Sequence, residues 1–200
     1  MPYFTHLHVH SHFSILDGMS KVPDLIGKCK RNGMYAMALT DHGNMFGIKE
    51  LVDNAKKENG KVKDKIKELE AHKTELEGQL KEVEEKYSNT TVPEGTPSLS
   101  DIKESIDSTD AQIATLKTQF FKPIIGIEAY CAHRTLYDKD ANVKERDPET
   151  GRERIADRSG WHLILLAKNK TGYRNLCKLS SIAFTDGYFY SPRIDHNLLE

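Results

Sequence analysis

The chain opens with Phe4-Thr-His-Leu-His-Val-His-Ser-His12, in which four histidines alternate with other residues. Successive side chains of a β-strand point to opposite faces, so His8 and His10 would stand side by side, with Leu7 and Val9 packed on the other face. Two neighbouring imidazoles on a rigid strand form a pair of metal ligands. The interleaved Leu7 and Val9 argue against a purification tag, and the pattern therefore predicts a metal site.

The composition excludes several classes of protein. The 200 residues carry 29 Lys and Arg against 30 Asp and Glu, for a net charge of −1, so no global basic field attracts nucleic acid or membrane. The three cysteines lack CxxC spacing, and an odd number of cysteines fits a reducing cytosol. No signal peptide and no membrane-spanning segment are recognisable. We expect a cytoplasmic protein that does not bind a membrane.

Short apolar runs alternate with amphipathic ones along the chain. This alternation favours an α/β fold of parallel β/α units. The apolar runs predict strands at 4–10, 35–40, 123–130 and 162–167. The amphipathic runs predict helices at 22–32, 48–57 and 171–184.

A charged stretch at 61–120 interrupts this alternation. Its apolar residues follow two heptad series, separated by a Pro- and Gly-containing link at 88–97, and Ser98 with Asp101 forms a candidate capping box. We expect an inserted antiparallel, coiled-coil-like helical hairpin, with arms roughly 30–40 Å long, between host segments 1–60 and 121–200. It is either a partner-binding arm or a tolerated surface insertion. A second polar stretch, 136–160, predicts a long loop.

Every predicted strand carries a histidine or carboxylate residue at or near an end. Functional residues of β/α barrels gather at one end of the strands, and six ligands from part of a barrel imply two or three divalent ions, with Zn, Mn or Fe suiting such mixed ligands. The candidate ligands are His8, His10, Asp17, His42, Glu128 and His162. Such a cluster suits phosphoester hydrolysis, because paired ions activate water and clamp the attacking and leaving oxygens. No catalytic residue separate from the metal centre is recognisable.

Each candidate also has an ordinary structural interpretation. Asp17 could belong to a turn, and His162 could be a core histidine. Asp41 would cap the following helix or hydrogen-bond a ligating histidine, and His6 would lie deeper in the core, behind the ligands. Glu128 lies in an apolar strand, where an unpaired carboxylate would be costly to bury.

Five segments occur in an order that resembles a known family. They are 5–18, 38–44, 123–130, 162–176 and 187–195, and they include Leu-Thr-Asp-His-Gly-Asn44 and Ser-Pro-Arg-Ile-Asp195. In this order they resemble the amino-terminal PHP (polymerase and histidinol phosphatase) domain of bacterial DNA polymerase III alpha subunits. The resemblance covers most of the chain outside 61–120 and 136–160. His12 stands where the family often has aspartate.

The resemblance implies a distorted (β/α)7 barrel with a trinuclear metal centre, present in part in this chain. By motif match, the six candidate ligands named above are carried over. The implied parent is a DNA-directed DNA polymerase that uses Mg²⁺ and acts on DNA beside replisome subunits, including a proofreading exonuclease and a sliding clamp. The family's later ligands lack counterparts before Glu200, so we expect an amino-terminal fragment that binds metal weakly by itself.

Three functions are compatible with this resemblance. The first is a metal-dependent phosphoesterase or 3′–5′ exonuclease centre within the polymerase. The second is a structural, metal-stabilised module that docks the proofreading subunit. The third is a stand-alone phosphatase acting on a small phosphate ester, which would need a complete ligand set within one short chain.

Overall fold

A computed structural model describes residues 4–87, 98–158 and 160–200. The chain divides into two units, one formed by Met1–Ala55 with Lys122–Glu200 and the other by Lys56–Phe121. The helices are α1 (Val22–Arg31), α2 (Ile48–Lys86), α3 (Leu99–Lys117) and α4 (Lys170–Thr185). The strands are β1 (Ala36–Leu39), β2 (Lys122–Cys131), β3 (Lys144–Arg146), β4 (Glu153–Ile155), β5 (Trp161–Leu166) and β6 (Arg193–Ile194).

Strand β2 is the centre of the first unit. Its first half pairs with β1 in parallel, and its last two residues pair in parallel with β6. The apolar runs that predicted β1, β2 and β5 therefore lie in one mixed sheet. The α/β class predicted from the alternation is confirmed at this level, because helices and a parallel pair of strands are both present.

The prediction of uniformly parallel strands is wrong for β5. This strand runs antiparallel to β2, with Glu128 opposite Ile164 and Tyr130 opposite His162. An antiparallel neighbour starts where the central strand ends. The first residues of β5 therefore lie beside the last residues of β2, which matters for the position of His162.

The sequence predicted a strand at 4–10. The histidine-rich segment does run beside β1, but it is not a regular strand. It forms an isolated parallel bridge between His6 and Met37. Two backbone hydrogen bonds, from Ala38 to His6 and from Thr40 to Val9, fix its register. The Thr40 hydroxyl also accepts a hydrogen bond from the Val9 amide, at 3.0 Å. These bonds hold the segment against β1 without a continuous ladder.

Helix α2 continues far beyond the end at 57 that the sequence predicted. It runs for 39 residues, through Gly60, to Lys86. A single glycine costs a helix only about 1 kcal/mol relative to alanine, and the surrounding Lys and Glu residues are good helix formers. Nothing in this polar stretch therefore stops the helix, and the boundary between the two units falls inside it, after Ala55.

In the second unit, α3 runs back along the distal part of α2. Lys73 pairs with Asp110 at 2.6 Å, and Lys103 pairs with Glu84 at 3.3 Å. A small core lies at one end of this pair of helices, formed by Val62, Ile66 and Ile113, with Leu69, Leu116 and Phe120 packed against it. The predicted link at 88–97 lies outside the described residues.

The predicted capping box at the start of α3 is confirmed. The Ser98 hydroxyl accepts a hydrogen bond from the Asp101 amide at 3.2 Å, and the Asp101 carboxylate accepts one from the Ser98 amide. The serine therefore satisfies one of the amides that a helix leaves without a partner at its first turn.

Removing this cap should weaken α3 locally. We expect Ser98→Ala to lower the free energy of unfolding of the second unit by about 1 kcal/mol, because the Asp101 amide loses its acceptor. Hydrogen exchange of the α3 amides measures the effect. Ser98→Asp, which keeps an acceptor, is the matched control. Equal protection in the alanine and aspartate variants would contradict the prediction.

The polar stretch at 136–160 is not the long loop that its composition predicted. It contains β3 and β4, paired antiparallel, with a turn in which the Asp147 carboxylate accepts hydrogen bonds from the amides of Glu149 and Thr150. Gly151 in this turn has a φ of 67°, which favours glycine. The two strands are joined by pairs of charged side chains, such as Arg154 with Glu145. They therefore lack the alternating apolar residues that would have indicated strands in the sequence.

Candidate metal centre

Glu128 lies in the second half of β2 and is 4% exposed. Four imidazoles surround its carboxylate, each with a ring nitrogen within hydrogen-bonding distance. The N···O distances are 3.3 Å for His8, 2.7 Å for His10, 2.9 Å for His42 and 2.9 Å for His162. His162 approaches Oε1, and the other three approach Oε2. We call these five side chains the histidine cluster.

The sheet brings these residues together from distant parts of the chain. Beyond the end of β1, His42 forms a parallel bridge with Glu128, and the Gly43 amide donates to the Glu128 carbonyl at 2.8 Å. The antiparallel register of β5 places His162 opposite Tyr130, two residues beyond Glu128. His8 and His10 lie on one side of their segment, with their Nε2 atoms 2.8 Å apart.

The described residues of the cluster form two groups of potential metal ligands that share Glu128. One group is His8, His10 and Glu128, and the other is His42, Glu128 and His162. In each group the ligand atoms lie within 4.8 Å of one another. Imidazole nitrogens with a carboxylate are a ligand set for divalent transition metals, so each group could hold an ion.

One atom in the cluster supports this fit independently. The Nδ1 atom of His42 is buried and makes no hydrogen bond of acceptable geometry, although it lies 2.9 Å from a Glu128 oxygen. Burying a polar nitrogen without a partner is costly. The facing Nε2 atoms of His8 and His10 pose a similar problem, because a hydrogen bond between them requires a proton on one ring. Metal ions would satisfy all three nitrogens.

The electrostatics of the cluster suit metal binding. Burial would raise the pKa of the Glu128 carboxyl, but His42, His162 and His8 together outweigh burial and hold that pKa below its ordinary value. Burial, together with the charge of His42, lowers the pKa of His10. A carboxylate that stays charged and an imidazole that stays neutral are the protonation states in which both groups bind metals.

Asp17 contacts the cluster at His42. Its carboxylate lies 2.8 Å from His42 Nε2, and the side chain is 64% exposed. Asp17 belongs to neither of the two ligand groups found among the described residues. Its role as a direct metal ligand, expected from the sequence, therefore stays a prediction, and in this structure its carboxylate contacts the His42 ring.

His6 lies elsewhere, contrary to the expectation that it would be buried behind the ligands. It is exposed, and its ring packs edge-on against Phe4, with centroids 4.7 Å apart. The alternation that puts His8 and His10 together also puts His6 on their side. The His6 backbone pairs with β1, but its side chain is exposed.

Asp41 organises the turn that follows the histidine segment. It is 2% exposed, and its carboxylate accepts hydrogen bonds from the Ser11 amide at 2.6 Å, from the Ser11 hydroxyl and from the Ser14 hydroxyl at 2.7 Å. These bonds tie Asp41 to the turn at 11–14 rather than to the helix cap or the ligating imidazole expected from the sequence. Ser14 in turn accepts a hydrogen bond from the His42 amide, so the network supports His42 indirectly.

Tyr130 was not predicted as a site residue. Its ring stacks on His42, with centroids 6.0 Å apart, and meets His162 edge-on at 4.9 Å. Burial, with the nearby charges of Glu128 and Asp17, raises the pKa of the Tyr130 hydroxyl. The sequence did contain a signal, because Tyr130 follows Glu128 by two residues in a strand and so lies on the same face.

Comparisons with known proteins agree with the geometry. A family described as PHP domain matches residues 6–200. The chain is 33% identical over 197 residues to the DNA polymerase III subunit alpha of Borreliella burgdorferi and 30% identical over 197 residues to that of Aquifex aeolicus, covering 98% of this chain and 11% of each relative. It is 32% identical over 200 residues to the Campylobacter jejuni subunit, covering all of this chain and 10% of the relative. The chain thus spans about a tenth of the length of these relatives.

None of the described helices is long and apolar enough to cross a membrane.

Proposed function

Because the chain belongs to the PHP domain family, we propose that its histidine cluster is a metal-dependent phosphoesterase centre acting on DNA as a 3′–5′ exonuclease. The observation that carries the proposal is the convergence of four imidazoles on one buried carboxylate. The names of the relatives, DNA polymerase III subunit alpha, support DNA as the substrate.

The residues divide into holding and orienting roles. His8 and His10 would hold one ion with Glu128, and His42 and His162 would hold a second ion with the same carboxylate. Zn²⁺, Mn²⁺ and Fe²⁺ all suit this ligand set. Such ions, when bound, lower the pKa of water and balance the charge on the oxygens of a phosphodiester. Asp17 and Tyr130 would fix the His42 ring from two sides.

The resemblance extends the proposal to the longer polypeptide. We propose that the first unit is part of a distorted (β/α)7 barrel within a cytoplasmic replicative polymerase, which uses Mg²⁺ for nucleotidyl transfer. We also propose the proofreading exonuclease and the sliding clamp as its partners. The second unit would be an inserted helical hairpin in that barrel.

The test is metal content together with nuclease activity in the full polypeptide that carries this sequence. We expect two or three divalent ions by elemental mass spectrometry and release of the labelled 3′ nucleotide from single-stranded DNA. His8→Ala with His10→Ala should remove the ion of their own group and abolish the nuclease activity, which needs both groups filled. His196→Ala is the matched control, because the His196 side chain is 83% exposed and pairs with nearby Glu200 at 3.8 Å, outside both ligand groups of the described residues.

The outcomes separate two functions. Metal and nuclease activity lost together establish a catalytic centre. Metal lost from a protein that never degraded DNA, with a fall in thermal stability, would contradict the nuclease and favour a metal-stabilised docking module. A protein that binds no metal at stoichiometric levels would contradict both.

A further inference from the structure

A row of exposed aromatic rings lies on the first unit. Phe46, Phe184 and Tyr188 are 63%, 40% and 51% exposed, respectively. The ring centroids of Phe46 and Phe184 are 6.0 Å apart with an interplanar angle of 34°, and those of Phe184 and Tyr188 are 6.5 Å apart at 23°. We call these three rings the aromatic row. Rings that contributed only to a core would not leave so much of their surface in water.

One end of the aromatic row is tied to the histidine cluster through Asn44. The Asn44 side-chain amide donates to the His42 carbonyl at 2.8 Å and to the Phe13 carbonyl at 3.1 Å. Its oxygen accepts a hydrogen bond from the Phe46 amide at 3.1 Å. A single buried side chain therefore fixes the backbone of a candidate metal ligand and the backbone of the first ring.

The other end of the aromatic row, at Tyr188, is also connected to the loop that carries His42. Pro192, four residues after Tyr188, packs so closely on Gly43 that a Cβ atom there would lie 2.8 Å from the Pro192 ring. Gly43 is itself bonded to the Glu128 carbonyl. The segments that carry Phe46 and Tyr188 thus both contact the loop that presents His42 to the cluster.

Tyr190, two residues after Tyr188, has a cation over its ring and a strained backbone. Its ring is 55% exposed, and the Arg158 guanidinium carbon lies 4.9 Å from its centroid. Tyr190 has a φ of 62°, a conformation that costs free energy for a bulky side chain. The ring also meets Phe189 edge-on, with centroids 4.7 Å apart, and leaves more than half of its surface exposed two residues beyond Tyr188.

We propose that the aromatic row stacks the bases of single-stranded DNA whose 3′-terminal phosphodiester lies at the histidine cluster. The inference rests on the proposed function, because it states how the substrate of that centre is held. Every base has a π-face, so stacking on successive rings accepts any sequence. Arg158, stacked on Tyr190, supplies the positive charge that a nucleic acid requires.

The chemistry of this surface favours a nucleic acid over a protein partner. Its exposed apolar groups are rings, two of them with hydroxyls, accompanied by a guanidinium. Duplex DNA keeps its bases stacked inside, so the aromatic row should select single strands and discriminate little among bases.

Photo-crosslinking tests the proposal directly in the full polypeptide. Single-stranded oligonucleotides carrying 5-iodouracil near the 3′ end would be irradiated with the protein, and the crosslinked peptides identified by mass spectrometry. We expect crosslinks in the peptides that contain Phe46 and Tyr188. Phe46→Ala with Tyr188→Ala should reduce that crosslinking roughly tenfold or more, in line with the stacking lost per base.

Helix α4 offers a matched control. Tyr173 is 38% exposed and precedes Phe184 by 11 residues, or about three helical turns, so both rings lie on one side of the helix at opposite ends. Tyr173→Ala should leave the crosslinking unchanged. Phe184→Leu keeps an apolar side chain but removes the π-face, so a loss of crosslinking in this variant cannot be assigned to unfolding.

The two proposals fail separately. Crosslinks at the aromatic row in a protein that does not degrade DNA would support the stacking surface while contradicting the nuclease. Nuclease activity with crosslinks only in other peptides, or with crosslinks unaffected by the variants, would overturn the stacking surface. A row covered by another part of the polypeptide would also give no crosslinks and would overturn it.

Discussion

Glu128→Gln should empty both groups of the histidine cluster of metal in one step. The two groups share this carboxylate, which is buried and approached by four ring nitrogens. Glutamine keeps the shape but removes the charge that balances the ions. The loss of affinity should exceed the roughly 10–100-fold penalty that follows the loss of an outer-shell partner. Metal content after dialysis, measured by elemental mass spectrometry, reports the change.

Single histidine variants give the expected contrast. His8→Ala removes a ligand from one group and His162→Ala from the other, so each should lose part of the metal, whereas Glu128→Gln loses all of it. Glu145→Gln is the matched control, because Glu145 also faces a histidine, with His133 Nδ1 at 3.4 Å, but lies outside both groups. If Glu128→Gln retained as much metal as Glu145→Gln, the shared carboxylate would not be a ligand.

Strand periodicity explains why much of the cluster could be predicted. His8 and His10 share a side because they are two residues apart, and an acidic residue in an apolar strand requires a partner. The sequence could not show that β5 is antiparallel, since an apolar run such as 162–167 does not encode direction. Parallel strands would have brought His162 to the site at a shared strand end. In the structure, the antiparallel register of β5 brings it there instead, opposite Tyr130.

The supporting contacts could not be predicted, because they depend on tertiary geometry. Nothing in the spacing of Ser11, Ser14 and Asp41 shows that the serines donate to a buried carboxylate 27 to 30 residues away. The end of α2 was placed too early because a change in composition was interpreted as a change in structure. A polar helix that leaves its host unit loses its apolar pattern but not its helical propensity.

Arg193 is the buried cation of the Pro-Arg-Ile-Asp segment, and its role is structural. It is 1% exposed, and its guanidinium donates to four backbone carbonyls in three separate segments. The acceptors are Gly187 at 3.0 Å, Asp157 at 2.7 Å, Leu136 at 3.0 Å and Asp138 at 3.0 Å. Burial lowers the pKa of Arg193, but arginine titrates so far above neutrality that the charge remains.

We expect Arg193→Leu to lower the free energy of unfolding by about 3–5 kcal/mol, because several buried carbonyls lose their donor at once and Asp157 loses a nearby cation. Arg193→Lys should recover only part of this loss, since one ammonium group cannot reach three segments as a planar guanidinium does. Urea unfolding measures both. Arg174→Lys, at an exposed position of α4, is the control and should change the free energy by less than about 0.5 kcal/mol. If Arg193→Lys were as mild as Arg174→Lys, a point charge alone would hold these segments, and the geometry of the guanidinium would not be needed.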